Sequence, residues 1–163
     1  MSDYYVKELV VNLTLAKANE IVAEALKVGR EAALLPLTVA VLDAGGNLVA
    51  FQREDGSGIA RQDVATGKAW GALGMGISSR TIRDRLNDRP AFQGAIAAAT
   101  QGRFIPVPGG VLICNSENQA IGAVGISGDA SDKDEYSAIM AVKAAGFTSH
   151  PEDPIENWDK AGL

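Results

Sequence analysis

The stretch that most constrains the fold is residues 107–147, where two short apolar runs precede a strong helical pattern. The runs 111–114 and 120–126 are rich in β-branched residues, and four polar turn-forming residues separate them, so they predict a β-hairpin. Ser131, with Asp134 three residues later, matches a helix-capping signature. The stretch therefore predicts a strand, turn, strand and helix against which the rest of the chain packs.

Small residues surround the ends of this hairpin. Backbone N–H groups at strand ends and at a helix N-terminus can line a concavity that holds a ligand. The same residue types are also ordinary turn formers, and the sequence leaves both interpretations open. The candidate ligand-binding residues of the loops are Gly109, Gly110, Ser127, Gly128 and Asp129.

Length and composition limit the class of protein. The chain has 163 residues, of which 47% are hydrophobic, and this predicts one domain spanning residues 1–163. The net charge of −5 argues against nucleic acid or an anionic membrane as a partner, because both select clustered Lys and Arg. The single cysteine, Cys114, falls in a predicted strand, which indicates a buried thiol in a reducing compartment. With no long apolar run in the sequence, we expect a soluble cytoplasmic protein.

The remaining segments alternate between helical and extended patterns. Residues 1–13 form a leader without a clear period, and residues 148–163 contain two prolines and predict an irregular tail. Because hairpin connections dominate, the order predicts an α+β domain with a five-stranded, largely antiparallel sheet flanked by helices. The predicted helices are 14–35, 59–75, 78–86, 91–100 and 131–146, and the predicted strands are 37–42, 48–54, 104–107, 111–114 and 120–126.

The second helix has an unusual stripe of small residues. Each interior glycine costs about 1 kcal/mol relative to alanine, so the stripe implies close packing or contact with a flat ligand. Together with the alanine-rich helix at 91–99 it buries little bulk, and we expect both surfaces to meet partner subunits in a homo-oligomer. The stripe consists of Ala60, Val64, Gly67, Gly71 and Gly74.

Charged residues near the loops supply candidate chemistry for a small carboxylate or carbonyl compound. Arg53 or Lys68 could pair with an anion, and Asp134 or Glu135 could move a proton. Asp55 lies beside Arg53 and is included in the candidate ligand-binding set. The sequence contains neither a Ser-His-Asp arrangement nor zinc-ligand spacing, so we predict no metal site. An enzyme built from these residues would be a cofactor-free isomerase, hydratase or lyase.

The order of motifs resembles the GlcG/HbpS family of haem-degrading-type domains, which includes the C-terminal domain of PduO-type corrinoid adenosyltransferases. The matching pieces are LTLAKANEIVAEALKVG, VAVLDAGGNLVAFQREDG, the Lys68-Ala69 pair, PVPGGVLI and IGAVGISGDASDKDEYSAIMAVKAAG. They cover a core of residues 13–147. The resemblance implies a profilin-like sheet, assembly into dimers or larger homo-oligomers, and binding of haem or another tetrapyrrole in some members.

Three functions follow as hypotheses. The first is a ligand-binding or accessory protein of small-molecule catabolism, with haem or a corrinoid as the ligand class that the resemblance implies. The second is the cofactor-free enzyme, and the third is a structural subunit that stabilises a partner. Haem iron is usually held by His, Cys, Met or Tyr. Here the only histidine is His150, in the predicted tail, and the residues predict core positions for Met75, Met140, Cys114 and Tyr136.

Overall fold

A computed structural model describes residues 7–163, so the first six residues of the predicted leader lie outside the described part. This part of the chain contains five α-helices, five strands and a short 3₁₀ turn. The helices are α1 (Leu15–Glu31), α2 (Arg61–Met75), α3 (Ser79–Leu86), α4 (Pro90–Ala99) and α5 (Ser131–Ala144). The strands are β1 (Thr38–Asp43), β2 (Leu48–Arg53), β3 (Gly110–Cys114), β4 (Ala120–Ser127) and β5 (Thr148–His150).

The strands form one antiparallel sheet in the order β2-β1-β4-β3-β5. The sheet alternates as a strand of period two requires, with Val39 and Val41 on one face and Ala40 and Leu42 on the other. Helices α1 and α5 cover the first face with aliphatic side chains, and α2 covers the second. The predicted α+β architecture is therefore confirmed.

Small residues let α2 lie unusually close to the sheet. A Cβ atom added at Gly125 would collide with the backbone oxygen of Ala65, and one added at Gly110 would collide with that of Lys68. The α2 backbone thus rests directly on β3 and β4, so that the side chain of Lys68 must run along the sheet surface toward its end. The glycine stripe does not face the sheet, because Gly67 and Gly71 pack against Ile105 and Phe104.

Two predicted features are wrong. Residues 104–107 are irregular, because Pro106 and Pro108 supply no N–H for a ladder, and Phe104 instead packs with α3. The tail is not wholly irregular, since Thr148–His150 is the fifth strand and pairs with β3. The predicted number of five strands is correct, but the fifth strand is Thr148–His150 instead of residues 104–107.

Capping of α5 also differs from the prediction. The helix begins at Ser131, and the residue before it, Ala130, makes no side-chain cap. Instead, Asp134 Oδ1 accepts a hydrogen bond from the backbone N–H of Asp129, at 2.9 Å, just before the helix begins. The carboxylate therefore faces inward, toward the sheet end.

Candidate functional site

Five elements meet at one end of the sheet. Strand β4 ends there at Ser127 and β3 begins there at Gly110, while α2, α3 and α5 close around the two strand ends. The convergence brings together eight of the predicted site residues and adds two that the sequence did not single out. The eight are Lys68, Gly109, Gly110, Ser127, Gly128, Asp129, Asp134 and Glu135.

The centre of this cluster is a buried ion pair between α2 and α5. Lys68 is 1% exposed and Asp134 is fully buried, and Lys68 Nζ lies 3.0 Å from Asp134 Oδ2. Lys68 Nζ also donates to the backbone oxygen of Ile126 at 2.8 Å. Burial lowers the pKa of Lys68 and raises that of Asp134, and the attraction between the two charges opposes both shifts. The pair therefore joins α2 to α5 around the end of the sheet.

The loop before α5 is satisfied from within the protein. The N–H groups of Gly128 and Asp129 donate to Asp134, and the N–H of Gly110 donates to Ser79 Oγ at 2.7 Å. Asp129 in turn accepts hydrogen bonds from Leu35 at 2.9 Å and from Ala130. These N–H groups thus point at the protein's own oxygens, and an external anion at the loop would have to displace Asp134.

Glu135 differs from its neighbour because its carboxyl is buried without a hydrogen bond. The residue is 0% exposed, and both carboxyl oxygens lack a hydrogen-bond partner. Arg80 Nε lies 3.3 Å from Oε1, close enough for an ion pair but without the alignment of a hydrogen bond. Burial raises the pKa of Glu135 to about 7, although Arg80 opposes the shift. Glu135 is therefore the carboxyl of this cluster that can exchange a proton near neutral pH.

His150 lies on the same side, at the end of β5. Its Nε2 atom is buried and has no hydrogen-bond partner, and burial together with the charges of Arg80 and Arg85 lowers its pKa. Sequence reasoning missed Arg80 because its segment has the pattern of a solvated helix face. It also placed His150 in an irregular tail, whereas the structure makes it the last residue of β5, paired with Leu112.

Arg53 and Asp55 lie apart from this cluster. Arg53 Nη1 donates to the backbone oxygen of Ser57 at 2.6 Å. Both residues line an open depression of about 720 Å³ beside Pro36 and Phe51, and neither contacts Lys68. The structure therefore does not join the two basic residues into one anion site.

A separate groove of about 450 Å³ runs along the outer side of α2. Trp70 forms its wall, and the ring lies against the β1–β2 turn because Gly46, with φ +79°, has no side chain to displace it. The guanidinium of Arg103 lies 4.5 Å from the centre of the Trp70 ring, and Arg103 Nε donates to Thr100 at 3.1 Å. The other lining residues are Leu48, Gln62, Asp63, Thr66, Gly67, Gln101 and Gly102.

The sequence did not predict this groove, since Trp70 and Arg103 are 33 positions apart and nothing local joins them. The only signal was the glycine stripe with its two interpretations. The structure shows close packing at Gly67 and Gly71, and the groove lies alongside.

The groove offers no axial ligand for haem iron. None of the iron-binding side-chain types lines the groove. Among residues 7–163, the cysteine is buried in β3, the ring of Tyr136 is stacked on Trp158 at 3.6 Å, and the histidine is enclosed at the sheet end. The two methionines, Met75 and Met140, are about one-third exposed and lie outside the groove.

The fold and these two regions define a small α+β domain with a buried charged cluster and a surface groove. A family profile described as "Haem degrading protein HbpS-like" matches residues 13–143, and the chain belongs to this family. The predicted resemblance to GlcG/HbpS domains is thereby confirmed.

Individual relatives agree with this assignment. An uncharacterized 15.0 kDa protein of the dhaT–dhaS intergenic region of Citrobacter freundii is 28% identical over 134 residues, covering 82% of this chain and 92% of that protein. Klebsiella pneumoniae protein ORFY superposes with a TM-score of 0.75 at 28% identity, covering 88% and 97% of the two chains. PduOC, solved as a complex with haem, superposes with a TM-score of 0.76 at 23% identity over 86% and 99%, which shows a shared fold.

Residues 7–163 contain neither a membrane-spanning helix nor a cluster of metal-binding side chains. No helix in residues 7–163 is long and apolar enough to cross a membrane. No group of three or more His, Cys, Asp or Glu side chains in the same range is arranged to hold a metal ion.

Proposed function

We propose that the chain is a ligand-binding protein of the HbpS-like family that takes up a flat, carboxylate-bearing small molecule in the groove beside Trp70. The observation that carries this proposal is the pairing of the Trp70 ring with the Arg103 guanidinium, 4.5 Å from the ring centre. An aromatic face binds planar groups by stacking, and a guanidinium pairs with a carboxylate through two parallel hydrogen bonds. In the groove the guanidinium lies over the ring, so a ligand would meet both groups at one position.

The surrounding groove suits such a ligand. Leu48 is 58% exposed and adds apolar surface, while Gln62, Thr66 and Gln101 add neutral hydrogen-bonding groups. The cation–π contact and the hydrogen bond to Thr100 hold Arg103 in place before binding, which reduces the entropy lost when the ligand is captured. Apolar walls with a few convergent polar groups are typical of small-molecule sites.

Tetrapyrroles belong to this ligand class because they combine a flat ring with carboxylate side chains. The solved haem complex of PduOC supports testing them first. Since no iron-binding side chain lines the groove, the ring and the carboxylates would supply the binding energy, and the iron would not be needed.

We therefore predict that metal-free protoporphyrin IX binds with the same affinity as hemin, within about threefold. Trp70→Ala should weaken both by about tenfold or more, because stacking of a planar ring on an aromatic side chain contributes about 1–3 kcal/mol. Arg103→Gln should weaken both by at least about threefold through loss of the carboxylate partner. Fluorescence quenching and absorbance titrations measure all of these affinities.

The matched control is Arg89, which lies over Phe92 at 4.9 Å and outside the groove. Arg89→Gln should leave both affinities unchanged. If hemin bound tightly while protoporphyrin IX did not, an iron ligand would be required and the proposal would be wrong. Equal binding by wild type and Trp70→Ala would remove the groove as the site.

The alternative function, a cofactor-free enzyme, draws less support from the geometry. Lys68 and Asp134 use their hydrogen-bonding groups on each other and on the backbone, and both are sealed from solvent. Of the three candidate acid–base residues, Glu135 alone has unpartnered oxygens.

We also propose that the protein assembles into a homo-oligomer through its exposed apolar surfaces. Helix α4 has no charged residue and no buried residue, and Phe92 is 39% exposed. Leu9, Val10 and Val11 in the extended segment before α1 are 64–90% exposed. Contiguous apolar surface of this kind is typical of protein interfaces.

Light scattering should accordingly show a mass that is a multiple of 17.0 kDa. Phe92→Glu should shift the protein toward smaller species, because a charge would be buried in the interface, whereas Leu163→Glu at the exposed C-terminus should not. A single species near the chain mass for the wild type would contradict the proposal.

A further inference from the structure

Two side chains in residues 7–163 have buried polar atoms without a hydrogen-bond partner. In the described part of the chain, these atoms are both carboxyl oxygens of Glu135 and Nε2 of His150, and Arg80 carries charge next to each residue. We propose that Arg80, Glu135 and His150 form a second binding site, for a small monocarboxylate, that opens when residues 151–160 lift away. This site is distinct from the groove and does not depend on the function proposed there.

The unpartnered atoms themselves point to a ligand. A buried polar atom without a partner costs about 1–3 kcal/mol, and native proteins contain few of them. Two unpartnered oxygens of Glu135 beside Arg80 are therefore costly for a purely structural cluster. A carboxylate bound there would accept hydrogen bonds from Arg80 and from the protonated Glu135, and the N–H form of His150 Nε2 could donate a third.

A backbone oxygen of the C-terminal segment already accepts a hydrogen bond from Arg80. Arg80 Nη2 donates to the backbone oxygen of Asp153 at 2.9 Å, so the C-terminal segment occupies a hydrogen-bonding direction that a ligand carboxylate could take. Entry of the ligand would replace one neutral carbonyl oxygen by a carboxylate, which a guanidinium can bind through two parallel hydrogen bonds.

The covering segment is held by side-chain contacts and not by a strand or helix ladder. Apart from the Arg80 hydrogen bond, these are the hydrogen bonds from Ser149 Oγ to the backbone oxygens of Pro151 and Glu152, the exposed pair of Lys143 and Asp153 at 3.0 Å, and Trp158, which stacks on Tyr136 at 3.6 Å and packs against the main core. Residues 151–157 have no regular secondary structure. Local opening of such a segment costs less than global unfolding, and the segment can act as a strap over the site.

Proton uptake by Glu135 sets the pH dependence of binding. The charged groups that act on Glu135 are Arg80 and Arg83 from α3, Lys68 from α2 and Asp132 from its own helix. On the strap side, the backbone oxygen of Asp153 accepts a hydrogen bond from Arg80, and the charge of Arg80 acts on His150. Below its pKa of about 7 the carboxyl is protonated and can donate to the ligand. Above that pH it is ionised and repels a carboxylate, so binding should weaken as the pH rises through 7.

Titration with propionate, followed by fluorine NMR of protein labelled with 5-fluorotryptophan, tests the proposal. The two tryptophans give separate signals, so Trp158 reports the strap and Trp70 reports any carboxylate bound in the groove. We expect a saturable shift of the Trp158 signal only, with an affinity about tenfold higher at pH 6 than at pH 8 if the ionised form does not bind. Propionamide, which has the same size but no charge, should give no such shift.

Variants then assign the effect to its residues. Glu135→Gln should bind at both pH values with the pH dependence lost, and Arg80→Gln should lose binding by about tenfold or more. Arg89→Gln is the control and should bind as the wild type does, because Arg89 lies over Phe92 and is not among the groups that face Glu135 or His150. The proposal would be overturned by no saturable shift, by equal shifts from propionamide, by affinity that rises with pH, or by unchanged binding in a folded Arg80→Gln protein.

Discussion

Replacing Gly125 by alanine is expected to lower the free energy of unfolding by about 3 kcal/mol or more. The added Cβ would collide with the backbone oxygen of Ala65 on α2, and a backbone atom of a packed helix cannot rotate away as a side chain can. The helix would have to shift away from β4, which would also disturb the pair formed by Lys68 and Asp134. Urea denaturation at pH 7 measures the loss, and the melting temperature should fall by roughly 6–12 °C.

Gly94→Ala is the matched control, because a Cβ at this position in α4 meets nothing within 4 Å. The same chemical change should there raise stability by about 0.5–1 kcal/mol through helix propensity alone. Equal effects at the two positions would mean that α2 does not rest on the sheet as described.

Lys68→Met should destabilise the protein by about 3–5 kcal/mol at pH 7, since it leaves the buried carboxyl of Asp134 without its partner. Burial already raises the pKa of Asp134, and removal of Lys68 should raise it further. A carboxyl with a raised pKa in the folded state favours folding at low pH and opposes it as the pH rises. The difference from the wild type should therefore shrink between pH 7 and pH 4.

Lys143→Met provides the comparison for this second prediction. Lys143 pairs with Asp153 at the same 3.0 Å distance, but its side chain is 38% exposed. Exposed pairs contribute about 0–1 kcal/mol, so this loss should be small and nearly independent of pH. A loss for Lys68→Met as small as that for Lys143→Met would show that the pair at the sheet end contributes little to joining α2 and α5.

Local patterns predicted most of the fold because each pattern depends on neighbouring residues. The hairpin at 111–126 and the helix after it appear where β-branched runs, turn formers and helical spacing place them. Strand β5 was missed because three residues, all of them polar, carry no period, and its pairing with β3 depends on a distant segment. The apolar run at 104–107 gave a false strand because its burial comes from packing against α2 and α3.

The residues of the candidate site also fall into those that local sequence patterns predicted and those that they did not. Lys68, Asp134 and Glu135 could be selected because a lysine beside a small-residue stripe and acids in a first helical turn are visible in sequence. Arg80 and His150 have ordinary surface patterns, and their position depends on how α3 and β5 meet. Burial decides which of these charges is paired and which is not, and burial is a property of the whole chain.

The strand order has a further consequence for how the chain is made. The contact between β1 and β4 joins Thr38–Asp43 to Gly122–Ser127, so the paired residues are 79 to 89 positions apart in the sequence. Pairings of such long sequence separation slow folding, because the intervening chain must be closed into a loop first. During synthesis β1 and β2 emerge well before β4, and one side of β1 stays unpaired until most of the protein has left the ribosome. Protection from aggregation is therefore needed most in the first half of translation, when an apolar strand has its edge exposed and no partner yet exists.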